Sequence, residues 1–130
     1  MPRFAPFFFA IAFASGCVKP RESEPTEVTV LSLSRVYRDT PHTAATAWTN
    51  RTIRVRLAAK DYSVTPSAVQ WFDHTADSHP AVVFDCESPP ADNAQAIIIT
   101  GTCRGRFVDG KRRRNGTDFY VFVSGCVASP

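Results

Sequence analysis

The 130-residue sequence predicts a mainly β domain, a small closed five-stranded barrel preceded by a short helical hairpin, and three observations carry that expectation. From Arg51 onward apolar residues recur at alternate positions, the period of a half-buried strand. Gly101 and Gly105 interrupt the fourth such run, where a strand coils sharply or bulges as a sheet curls on itself. Ten prolines and ten phenylalanines against one methionine suit short strands and loops better than a helical bundle. An apolar fraction of 44% with 21% charged residues excludes wholesale disorder, and a net charge of +3 is too mild to argue for nucleic acid.

The N-terminus reads as an address. Met1-Pro2-Arg3 is followed by an apolar run from Phe4 to Phe13 and then by Ala14-Ser15-Gly16-Cys17. A cationic start, a short apolar core and small residues at a cleavage point are the parts of a signal peptide, over residues 1–16. The run is too short for a permanent membrane span, which takes about 20 residues. Ala14-Ser15-Gly16-Cys17 resembles the bacterial lipobox, although Ala14 stands where leucine is commoner and Pro6 interrupts the run. That resemblance implies a diacylglycerol thioether at Cys17 and anchoring through palmitate-like acyl chains. Two chains hold a protein where one is marginal. Val18 rather than aspartate after the cysteine points to the outer membrane, facing the periplasm. Residues 17–27, with Pro20, Pro25 and alternating charges, read as an extended tether, and residues 28–130 as the folded domain.

Within the domain, Val30, Leu33, Val36 and Tyr37 recur at helical spacing, and Asp39-Thr40-Pro41-His42 stops that helix. Thr40 is placed to cap a second helix with Pro41 at its first position, running to Trp48. Strand one is Thr52–Leu57, with Ile53, Val55 and Leu57 inward and Arg54 and Arg56 outward. Strand two is expected over Ser67–Asp73, strand three over Pro80–Cys86, strand four over Ala96–Gly105 and strand five from Asp118 to Val123, running on to Cys126. Pro89-Pro90 makes the segment before strand four a loop, and Asn115-Gly116 is a strong hairpin signal before strand five.

Over roughly residues 30–127 the sequence resembles the OB-fold domains called "tRNA anticodon-like", which occur in bacterial exported proteins and lipoproteins. The residues that carry the likeness are Leu31 or Leu33 with Tyr37, an alanine pair, Trp48, the alternation of strand one, Val82, Phe84 and Cys86, the run Gly101, Cys103, Gly105, and a closing Val121, Val123, Cys126. Asn50 stands where the family has glycine, a substitution that Asn's tolerance of left-handed backbone permits. Ala94-Gln95 replaces the family's usual leucine and lysine-glycine turn. The likeness implies an OB-like five-stranded barrel; the family name reflects fold, not an activity.

An exported protein keeps its cysteines oxidised, and with Cys17 lipidated three remain. Strands four and five are neighbours in an OB-fold, so a Cys103–Cys126 disulfide is expected, with Cys86–Cys126 its competitor and the odd Cys86 a small core residue. No Cys-x-x-Cys occurs, which argues against thiol exchange and a zinc knuckle.

Two clusters bear on chemistry. His74, Asp77 and His79 could supply three metal ligands, but they sit on one loop between strands and read better as a solvated turn. No nucleophile with an adjacent base and no glycine-rich phosphate loop is present. The expectation is therefore a non-enzyme with no cofactor and no metal. Arg104, Arg106, Lys111, Arg112, Arg113 and Arg114 gather around the loop joining strands four and five, which OB-folds use for oligonucleotides and oligosaccharides. Arg54 and Arg56 would extend that patch, and Tyr120 and Phe122 could offer stacking surfaces. The bland alternative is a charged hairpin tip that discourages edge pairing. The function expected is a membrane-anchored binding module engaging an envelope protein or anionic partner. A purely structural accessory lipoprotein is the alternative, and an oligonucleotide-binding domain is less favoured because nucleic acid is seldom available outside the cytoplasm.

Overall fold

The computed structural model describes residues 24–130, residue 75 excepted. The expected signal peptide, Cys17 and most of the expected tether lie outside the described residues. Among the described residues no helix is long and apolar enough to cross a membrane.

Chain order is β1 (Thr26–Val28), α1 (Val30–Asp39), α2 (Pro41–Trp48), β2 (Thr52–Leu57), β3 (Tyr62–Val64), β4 (Ala68–Trp71), β5 (Val82–Cys86), β6 (Ile97–Val108) and β7 (Phe119–Ser129). The seven strands form one open mixed sheet in the order β1-β2-β6-β7-β5-β4-β3. The β1/β2 and β5/β7 pairs are parallel and the others antiparallel. The expectation of a mainly β fold with a helical hairpin is met; five strands and a closed barrel are not. Two additions account for the difference. The end of the supposed tether is strand β1, with Thr26 opposite Ile53 and Val28 opposite Val55, so it occupies the free side of β2. On the other flank, β3 pairs with β4 and forms the opposite edge. Between β2 and β3 the chain breaks at Lys60, whose φ of 71° no strand accommodates.

The helical hairpin forms where helix spacing and capping chemistry place it. Thr29 caps α1 by accepting a hydrogen bond from the Ser32 N–H at 3.1 Å. Thr40 starts α2, but its hydroxyl makes no cap; it donates back to the Val36 carbonyl at 3.2 Å, closing α1 instead. Leu33, Tyr37 and Ala44 carry the hairpin into the core, where they join Ile53, Val55, Leu57, Val69, Val82, Phe84, Ile99, Val121 and Val123 in one buried cluster. These strand residues come from alternate positions, and their burial follows the period-two pattern element by element.

Long strands β6 and β7 are bent where glycine permits. Their register shifts between Thr100 and Thr102 and again between Cys103 and Gly105. At Gly101 any side chain would collide, since a Cβ there would stand 2.6 Å from the Cys126 sulfur and 2.9 Å from the Ser124 carbonyl. Asn50 adopts φ 69°, the left-handed backbone its side chain tolerates, and its N–H donates to the Cys103 carbonyl at 2.6 Å. That contact ties the exit of α2 to the bent part of β6.

Candidate functional site

The loop joining β6 and β7, residues 109–118, is built around a buried arginine. Among its four consecutive cations, Arg113 is only 3% exposed. Its guanidinium forks onto both Asp109 carboxylate oxygens at 2.8 Å and donates to the carbonyls of Pro80, at 2.9 Å, and Lys111. The fork holds the Asp109 carboxyl well below the usual carboxylate range. Asn115 folds the turn by accepting from the Thr117 N–H and hydroxyl, and Gly116 supplies a φ of 87°. The turn is thus the tip of a wide ten-residue loop that begins at Asp109, rather than a tight hairpin.

This loop is locked to the one between β4 and β5. The Arg114 N–H donates to Asp77 at 2.9 Å, and the Asn115 side chain donates to Asp73 at 3.1 Å. Burial pushes the Asp77 carboxyl up, but the N–H groups of Arg114 and His79 outweigh it and hold the group below its ordinary value. The Asp77 carboxylate is therefore engaged with backbone N–H groups, and no cluster of three metal-ligating side chains occurs among the described residues.

The six cations expected around this loop divide into different roles. Arg113 is a structural pin, and Arg104 is tied to Ser124 and to Asn50, each at 3.0 Å. Arg106 lies over the Phe119 ring at 5.1 Å. Lys111, Arg112 and Arg114 are exposed, and among the described residues no ion pair holds their side chains. Arg54 and Arg56 do lie beside β6, opposite Thr100 and Ile98, but they do not extend the patch. Eight residues separate Thr100 from Val108, so Arg54 is roughly 26 Å along the strand from the loop, and it pairs with Glu27 at 3.3 Å.

Beside the loop, the outer sheet face carries three aromatic rings. Phe107 stacks on Tyr120, centroids 6.0 Å apart and planes 16° from parallel, and meets Phe122 edge-on at 5.4 Å. Tyr120 and Phe122 share that face as the alternation indicated, both half-buried. Phe107 was not among the residues the sequence singled out. The register shift after Cys103 brings it opposite Tyr120, and a bulge counted at Gly105 would have revealed it. Phe107 and its neighbour Val108 are 44% and 66% exposed.

The three described cysteines are free and buried. The expected Cys103–Cys126 pairing is absent because Cys103 lies opposite Val123, while Cys126 lies opposite Cys86 on the parallel β5. A two-residue turn at Asn115-Gly116 would set Cys103 opposite Ala128, two residues from Cys126; the wide loop and the one register shift between it and Cys103 move the partner to Val123. Cys103 instead contacts the Tyr37 hydroxyl at 3.3 Å, and that hydroxyl also meets Thr49 at 2.7 Å. Burial, followed by the contact with Cys103, pushes the Tyr37 phenol up. The contact between Cys126 and Cys86, then burial, pushes the Cys126 thiol up, while the same contact pulls the Cys86 thiol below its ordinary value against the effect of burial.

The chain matches no protein-family model, no curated protein and no solved structure.

Proposed function

We propose that the chain is a lipid-anchored, non-enzymatic binding module of the bacterial cell envelope, and that its contact surface is the β6–β7 loop with the aromatic face beside it. One observation carries the reading. Lys111, Arg112 and Arg114 point outward from a loop that Arg113 and its partners hold rigid, next to the exposed Phe107-Val108 pair. Folding does not require exposed cations to be held on a pre-ordered support, whereas recognition of an anionic partner gains from it.

The OB-like reading of the fold has support in strand adjacency. Numbering the five expected strands in chain order, their neighbours run one-four-five-three-two, from β2 through β6, β7 and β5 to β4. In a five-stranded OB barrel strand one also meets strand two. Here β3, which follows β2 after only the residues 58–61, makes that contact with β4. The sheet is thus an opened relative of that barrel, with its first strand broken at Lys60.

Two measurements test the proposal. Intact mass of the membrane-extracted protein should show residues 1–16 removed and Cys17 carrying diacylglycerol; an unprocessed, unacylated chain would remove the anchor. Retention on a phosphate-bearing matrix in rising salt should fall more for Arg112→Glu with Arg114→Glu than for Arg54→Glu with Arg56→Glu, which changes net charge equally. Identical elution of the two double variants would mean that only total charge matters, and the loop would lose its role.

A further inference from the structure

We infer that the β6–β7 end of the domain rests on the same anionic lipid surface that holds the anchor, so that Phe107 and Val108 sit at the headgroup level with Lys111, Arg112 and Arg114 around them. This rests on acylation at Cys17 as proposed above. The occupant is chosen by the path of the chain. Strand β1 runs parallel to β2, and β2 runs antiparallel to β6, with Thr26 level with Ile53 and Ile53 level with Gly101. Followed backward from Thr26, the chain therefore leaves the sheet toward the Val108 end of β6. Seven residues of strand separate Gly101 from Val108, about 23 Å. Nine residues separate Thr26 from Cys17, a reach of at most about 30 Å. An anchor at Cys17 thus has just enough chain to bring this end of the sheet to the membrane. The Leu57 end lies in the opposite direction, and the chain would have to double back to present it.

The chemistry of that end suits a lipid headgroup layer. Between Arg104 and Asp118 there are six cations and two carboxylates, of which Asp109 is occupied by Arg113. The neighbouring loop adds Asp73 and Asp77, engaged by the Asn115 side chain and the Arg114 N–H; Lys111, Arg112 and Arg114 are the cations left exposed on the loop. Phe107 and Val108 are two of the four large apolar side chains exposed among the described residues, and they are adjacent. Exposed apolar tips ringed by unpaired lysine and arginine are what an anionic interface accepts, the tips entering the acyl boundary and the cations staying with phosphate.

The test uses the acylated full-length protein reconstituted into vesicles of phosphatidylglycerol and phosphatidylethanolamine containing a nitroxide-labelled lipid. A fluorophore is attached at Val108→Cys in one sample and at Ala58→Cys, beyond β2, in another; the native described cysteines are buried. Quenching should be several-fold stronger at position 108 than at 58. It should fall to the level of position 58 in phosphatidylcholine vesicles, and when Arg112→Glu and Arg114→Glu are added. Equal quenching at both positions in a chain whose mass shows acylation would overturn the docking alone and leave the loop to a protein partner. A chain without acyl groups, seen in the same mass spectrum, would overturn the anchor and the docking together.

Discussion

The two faces of the sheet use the same kinds of side chain for different ends. On the inner face Phe84 has no exposed surface and is enclosed by the cluster that includes Val69, Val121 and Val123. On the outer face Phe107, an identical residue, leaves 44% of its surface in solvent and packs on two other rings. The inner ring follows from folding, since apolar burial is the main force that folds a chain. The outer ring does not, because a soluble surface has no need for a contiguous aromatic group. A pattern of alternation explains which face a ring takes, and only exposure separates packing from recognition.

That contrast can be broken at graded cost. Phe84→Ala should destabilise the domain by about 3–5 kcal/mol, read from the urea midpoint, because a cavity opens in a closed cluster. A loss below about 1 kcal/mol would mean the inner face is looser than its burial implies. Next in size is Arg113→Ala, expected to cost about 2–3 kcal/mol, since it strips a charged, forked hydrogen bond from Asp109 and leaves the Pro80 carbonyl without this donor. Arg112→Ala, one residue away and exposed, should stay within about 0.5 kcal/mol. Equal losses at the two positions would erase the distinction between pin and probe.

The same fork sets a pH dependence. The folded protein holds the Asp109 carboxyl below its ordinary value of 3.8, so the contribution is complete above that value and is lost as pH falls below it toward the folded one. Asp77 acts in the same direction. Stability should therefore decline in acid below about pH 4, and less steeply in Arg113→Ala than in the parent. Parallel acid profiles would show that the fork is not the group being titrated. The smallest expected effect on stability is that of Phe107→Ser, within about 0.5 kcal/mol. Its consequence should appear instead in vesicle binding, and a variant that unfolds easily would place Phe107 with the inner rings.

The sequence carried most of the regular structure and less of the site. Strands one to five were legible because Ile53, Val55 and Leu57, and Val82, Phe84 and Cys86, recur at the period of two. Thr26–Val28 and Tyr62–Val64 were not, since three residues make too short a run to show a period and the first directly follows Pro25. Whether a sheet closes depends on such short edge pieces, so the open architecture stayed hidden while the strand sequence was plain. At the site, the charge of residues 111–114 was visible but its division was not. The burial of Arg113 depends on the Pro80 carbonyl, 33 residues away, and on a loop path that no local pattern encodes. The cysteine register failed for a related reason, because the loop pairs Val108 with Phe119 rather than turning tightly at Asn115-Gly116, and the shift between Cys103 and Gly105 adds one position more.

The slender strand β1 also governs how the molecule would behave when shortened. Six residues of β2 have β6 on one side and β1 on part of the other. A chain begun at Val30 would bare that flank as a row of unanswered amide and carbonyl groups, a template on which a second copy could add. Trimming this short strand would thereby convert a question of length into one of self-association, with molecular weight in solution reporting where the cut was made.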